Sequence, residues 1–245
     1  MKKKFVVLTM AAMLALSSVA CGNKKEEKNS ENTVTTSSET EASKTEASET
    51  EASTSAPVLI KDASETDAQN KEIDKLFTEG PKVAVTDKEA KDGFANAVEA
   101  KYENLTFQIP DYFKYSEEIS SDPNYYYYAE QSETTVVDLT VTIQNGTGIK
   151  KEDAKAAKDD FIRALQSTGD VTVTNAFETE IAGYYTLGAD VNYNMTNFEG
   201  TGRLYFIFDT DVEKIVGIGL VQTNNSQYDY TSDFEKIIAS IKVAQ

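Results

Sequence analysis

The amino-acid sequence predicts an α+β fold: a mostly antiparallel sheet of about six to seven strands, covered by helices and preceded by a disordered N-terminal tether. Three observations carry this. Between 105 and 143, and again between 171 and 222, apolar and polar residues alternate with the period of two that marks strands. The stretches 150–169 and 232–241 instead space their apolar residues by three and four, as one face of a helix does. Residues 22–56 contain almost no aromatic or large aliphatic side chain from which a core could be built.

The first 23 residues, MKKKFVVLTMAAMLALSSVACGN, divide into three physical parts. Lys2, Lys3 and Lys4 form a positive head, Phe5 to Leu16 an apolar run, and small residues lead into Cys21, the chain's only cysteine. The apolar run is shorter than the roughly 20 residues a membrane-spanning helix needs, and fits the core of an export signal. The segment resembles the signal peptide of bacterial lipoproteins, with Val19 and Ala20 matching the motif before the cysteine and Ser18 standing where leucine is usual. That resemblance implies removal of residues 1–20, lipidation of Cys21 and a place on the extracytoplasmic face of the cell membrane. The open alternatives are an ordinary secretory signal and an uncleaved anchor.

Residues 21–56 then read as the lipidated cysteine and its tether. TEAS recurs at 40, 45 and 50. Serine and threonine at this density oppose a helix, and no apolar face exists to be buried. Gly22 to Ala56 would span roughly 115–125 Å fully extended. Pro57 opens a lead-in segment, 57–100, expected to be helical. Ile73, Leu76 and Phe77 share one face of its first helix, and TDKE at 86–89 has the capping-box pattern of a second, with Phe94, Ala97 and Val98 on one face.

The folded domain is expected at 101–245. LTFQIP points Leu105, Phe107 and Ile109 inward and ends at Pro110. The run Tyr125, Tyr126, Tyr127, Tyr128 follows a turn signal, SSDPN. TVVDLTVTIQNG sets Val137, Leu139, Val141 and Ile143 on a better-buried face, opposite Asp138, Thr140 and Thr142. An amphipathic helix then turns Ala154, Ala157, Phe161, Ala164 and Leu165 inward. Strands near 171–179, 183–194, 202–209 and 213–222 come next, the last two joined by the hairpin signal DTDVEK. A final helix, opened by SDFE, buries Phe234, Ile237, Ile238 and Ile241. In this order of elements, and in YENLTFQIPDYF, GYYTLGADVNY and YTSDFEKIIASIKV, residues 101–245 resemble the PsbP-like α/β sandwich. That resemblance implies a binding or assembly role and brings no catalytic motif with it.

Composition narrows the function. The chain has no histidine and one cysteine, which removes the commonest general base, the Ser-His-Asp and Cys-His pairs and an ordinary zinc site. No enzyme activity and no cofactor are expected. Beyond residue 20 the chain carries 21 basic and 41 acidic residues, a balance that repels nucleic acid. The expected role is a membrane-anchored protein binding a partner protein or a cell-wall glycan, with a carboxylate-dependent glycan hydrolase or an accessory solute-binding lipoprotein as alternatives.

Two sets of candidate binding residues stand out. Strand geometry sends Tyr125 and Tyr127 to one face and Tyr126 and Tyr128 to the other, so one exposed pair is the most the run offers. Tyr184, Tyr185 and Tyr193 are candidate neighbours from another strand. Asp209, Asp211 and Glu213 place alternate carboxylates in DTDVE; a hard cation would suit them, and so would a solvated turn. Gly217 and Gly219 leave one strand face bare, for a ring from a neighbouring strand, a close-packed helix or a ligand.

Overall fold

The computed structural model describes residues 70–82, 86–146, 148, 150–156, 158–167, 169–195 and 198–244. The expected signal peptide, Cys21, the tether and Ala157 lie outside them. Among the described residues eleven strands form two sheets, with helices packed on them. The strands are β1 (Phe77–Thr78), β2 (Ala97–Tyr102), β3 (Leu105–Pro110), β4 (Lys114–Tyr115), β5 (Asn124–Gln131), β6 (Val136–Asn145), β7 (Val171–Ile181), β8 (Tyr184–Met195), β9 (Phe198–Asp209), β10 (Lys214–Thr223) and β11 (Lys242–Val243). The helices are α1 (Lys151–Ala156), α2 (Lys158–Gln166) and α3 (Thr231–Ala239). An eight-stranded sheet runs in the order β1-β7-β8-β9-β10-β6-β5-β4, and a three-stranded one in the order β11-β3-β2. Every pairing is antiparallel except β1 with β7, which is parallel.

The α+β class holds, and all seven expected strands are present, as β3 and β5 to β10. β3, however, leaves the main sheet. It pairs with β2 and β11 in a second layer that α3 extends. Leu105, Phe107 and Ile109 from that layer meet Val137, Leu139, Val141, Ile218, Phe234 and Ile237 in one core. On the opposite face α2 packs Phe161, Ile162 and Leu165 against Leu187, Val191, Phe206 and Phe208 in another. The sheet thus has a packed layer on both faces. Asp138, Thr140 and Thr142, expected on the less buried side, are also buried.

The lead-in departs from expectation. Among its described residues α-helix covers 70–74; Phe77 has already joined β1, where Leu76 O accepts from Ala176 N. The second expected helix is an extended strap, 86–93, followed by a single 3-10 turn, Phe94–Asn96, and by β2. Thr86 Oγ1 accepts from Lys88 N, two residues on, and not from Glu89 N as a capping box would require. Distant groups then outbid the helix. Lys88 Nζ donates to Ser226 Oγ at 2.7 Å, Lys91 N to Asp229 O at 2.8 Å, and Gly93 N to Asp233 Oδ2 at 2.8 Å. The Lys91 ammonium lies 4.5 Å from the Tyr228 ring centroid and 5.3 Å from that of Tyr112. Glu103–Asn104 closes the β2–β3 hairpin, with Glu103 at φ 52°, so Tyr102 stands opposite Leu105.

α3 buries Phe234, Ile237 and Ile238, and Ile241 beyond it, as expected. Its start is different. No side chain at the cap position bonds the first turn, and Asp229 Oδ1 accepts from Thr231 N at 3.0 Å and Thr231 Oγ1 at 2.7 Å. Glu235, cast as the reciprocal residue of a capping box, faces the sheet. Gly217 has the Phe206 ring of its cross-strand neighbour 3.5 Å from where a Cβ would stand, an ordinary contact distance, so space alone does not demand the glycine.

Candidate functional site

Strand alternation puts Tyr125 and Tyr127 over Val141 and Leu139, on the face turned to the small sheet. Two further tyrosines join them. Tyr115 on β4 is paired opposite Tyr127, with ring centroids 5.2 Å apart. Tyr102, at the end of β2, lies against Tyr125 with centroids 4.6 Å apart, and its far side meets Phe107 at 5.7 Å. The Tyr102 and Tyr127 hydroxyls bond one another, and Tyr125 Oη donates to Asp122 Oδ1 at 3.1 Å. Burial, then the Tyr127 hydroxyl, pushes the Tyr102 phenol up; burial also raises Tyr127 and, with Asp122, Tyr125. These phenols therefore remain neutral donors and acceptors.

Tyr102 is the buried base of this surface. Tyr125 and Tyr127 are half-buried, and Tyr115 is 45% exposed. On β2, four residues before Tyr102, Val98 is 63% exposed. Rigid tyrosine rings with a polar tip contribute contact area at low entropic cost, which is why they are enriched at interfaces. Tyr126 turns the other way and is buried; Tyr128, on its side, is half-buried opposite Asp138.

Tyr184, Tyr185 and Tyr193 do not join this surface. All three are buried on β8, which β9, β10 and β6 separate from β5. Tyr184 Oη donates to Asp211 Oδ2 at 2.6 Å, while Tyr185 and Tyr193 belong to the core under α2. The acidic turn is also committed locally. Asp209 Oδ1 accepts from Asp211 N at 3.2 Å, Asp211 takes the Tyr184 hydroxyl, and Glu213 Oε1 accepts from Gly148 N at 3.3 Å. Burial raises the Asp209 carboxyl, partly offset by its backbone donors. Among the described residues no group of three such ligands gathers as a metal site.

A second polar constellation lies on the same sheet face, two strands beyond β6. Arg203, with its side chain 8% exposed, shares a strand face with Tyr205 and Ile207. Its Nε donates to Asp190 Oδ1 at 2.6 Å, its Nη1 to Glu235 Oε1 at 2.8 Å and its Nη2 to Lys82 O. Asp190 Oδ2 also accepts from Asn175 Nδ2 at 2.9 Å and Lys82 N at 3.0 Å; Tyr205 Oη donates to Glu235. Burial lowers the guanidinium pKa, and the Glu235 and Asp190 hydrogen bonds more than restore it. Beside it a cleft of about 250 Å³ opens between α3 and β7 to β10. Arg203 is not among the candidate residues that the sequence singles out. The signal was its phase, an arginine in register with the buried side of its strand, in a chain whose 24 basic residues include two arginines.

No family model matches the sequence, and no curated protein matches it. Among solved structures, the Ran-binding protein Mog1p of Saccharomyces cerevisiae superposes with a TM-score of 0.43 at 12% identity, over 61% of this chain and 96% of that one. A Bacteroides thetaiotaomicron protein gives 0.39 at 10% identity, over 58% of this chain and 46% of that one. A Pseudomonas aeruginosa protein of unknown function, a putative regulator, gives 0.33 at 10% identity, over 54% and 85%. These overlaps concern the course of the backbone and pass no partner or activity to this chain.

Proposed function

We propose that this chain is a lipoprotein of the extracytoplasmic membrane face, whose PsbP-like sandwich binds a partner protein or a cell-wall component without catalysing a reaction. In this reading residues 1–20 are removed, Cys21 carries the lipid, and residues 21–56 hold the domain away from the bilayer. The observation that carries the binding role is the tyrosine surface: the rings of Tyr102, Tyr115, Tyr125 and Tyr127 gather at one place in tilted and edge-on contacts, with Tyr115 exposed and Tyr125 and Tyr127 half-buried. Anchoring is supported by the charged, apolar and small-residue sequence that ends at Cys21. Two acyl chains on one cysteine, at about 0.8 kcal/mol per buried methylene, hold a protein on a membrane stably.

The two halves are tested separately. Cys21→Ser is expected to release the protein from the membrane fraction or leave it as precursor; unchanged acylated, membrane-bound protein refutes the anchor. For the surface, a photocrosslinking residue is placed at 115 in intact cells and compared with one at 212, an exposed position in the β9–β10 turn. One discrete adduct from 115, lost with Tyr125→Ala, is expected. Identical adducts from both positions, or none from 115, refute the assigned surface.

A further inference from the structure

We propose that the cleft beside Arg203 is a binding site for a neutral, polyhydroxylated ligand the size of one sugar ring. It lies on strands β7 to β10 and does not depend on the tyrosine surface, from which β6 separates it. Size sets the first limit. At about 30 Å³ per water, 250 Å³ corresponds to roughly eight waters, room for one small ring and too little for a folded peptide segment.

Charge sets the second. Two cations, Arg203 and Lys82, line the cleft with one carboxylate, Asp190, and Glu235, which bonds Arg203 from outside the lining, balances the second cation. The Lys82 ammonium donates to Thr174 O at 2.9 Å. The cleft therefore has no excess charge with which to hold an ion, and a chain this acidic adds no attraction for an anion. What it offers are neutral groups. Three of the five Arg203 N–H donors are used within the protein, leaving two. Asn192 and Thr201 line the cleft with exposed side chains that bond no described residue. An amide, a hydroxyl and spare guanidinium donors supply donors and acceptors together, which is what adjacent ligand hydroxyls require. Leu220 adds apolar wall for a ring's C–H face.

Arg203 is also pre-organised. Its three hydrogen bonds and its burial fix the guanidinium before any ligand arrives, so binding orders only Asn192 and Thr201. The test is an amide-shift titration of the full-length, isotope-labelled protein with glucose and N-acetylglucosamine, against glycine and inorganic phosphate. Saturable shifts at 190–192 and 201–203 with one of the sugars, in the millimolar range, are expected. Asn192→Ala with Thr201→Ala should weaken binding about tenfold, the loss of one to two hydrogen bonds, with unchanged melting. The proposal is overturned by shifts there from glycine or phosphate but not sugar, by sugar shifts confined to the tyrosine surface, or by no shifts. It is equally overturned by variants that bind as well as the parent.

Discussion

Replacing Asp138 by asparagine should make the protein's stability less dependent on pH, and the size of the change follows from where the carboxyl sits. Asp138 lies mid-strand on β6, paired with Tyr128 on one side and Val221 on the other, and is 7% exposed. No described residue donates a hydrogen bond to it, so burial pushes its carboxyl up from 3.8 to about 7. The folded state then keeps a proton that the unfolded chain releases near pH 4. Its contribution to stability is full below that range, declines as pH rises, and is gone above pH 7. At about 1.36 kcal/mol per unit, the whole effect is about 4 kcal/mol, more than half of it falling between pH 5 and pH 8. Urea denaturation of parent and Asp138→Asn at pH 5, 6, 7 and 8 isolates it, because titrations common to both cancel. The parent should lose about 3 kcal/mol relative to the variant over that range. A difference that stays flat would mean a solvated carboxylate, and would refute this account of the site.

Arg203→Met should destabilise the fold by about 3–5 kcal/mol in chemical denaturation, since it strands Asp190 and Glu235 against one another. A loss under about 1 kcal/mol would mean the pair is solvated. Tyr127→Phe removes the hydroxyl bonded to Tyr102 and should cost about 1 kcal/mol, with no further loss when Tyr102→Phe is added; additive losses would show two independent bonds. Gly188→Ala would put a methyl 2.2 Å from the Phe177 ring, at an expected cost of about 1–3 kcal/mol that Phe177→Leu partly relieves.

Period-two patterns were reliable where a strand is long: β6 to β10 appear almost as read, and Val137, Leu139, Val141 and Ile143 face one core as their alternation implies. The strap at 86–93 was not legible, because local capping signals favoured a helix and the contacts that defeat it come from 226–233. Tyr102 was missed for a related reason. Its place depends on the Glu103–Asn104 turn, and a positive φ at glutamate has no sequence mark. Tyr125 and Tyr127 could be paired by strand geometry, but their partners could not, since Tyr115 and Tyr102 come from two different strands. Glu235 fitted a capping pattern equally well as sequence; only the position of Arg203, 32 residues earlier, reassigns it.

β1 is two residues long and is the one strand of its sheet laid parallel to its neighbour. A pull arriving from the N-terminal side therefore reaches Ile73, Leu76 and Phe77 before any long strand is loaded. Those three side chains and a two-residue ladder act as a mechanical fuse. They can peel away at low force while the antiparallel strands from β7 to β4 stay paired and continue to present the tyrosine surface.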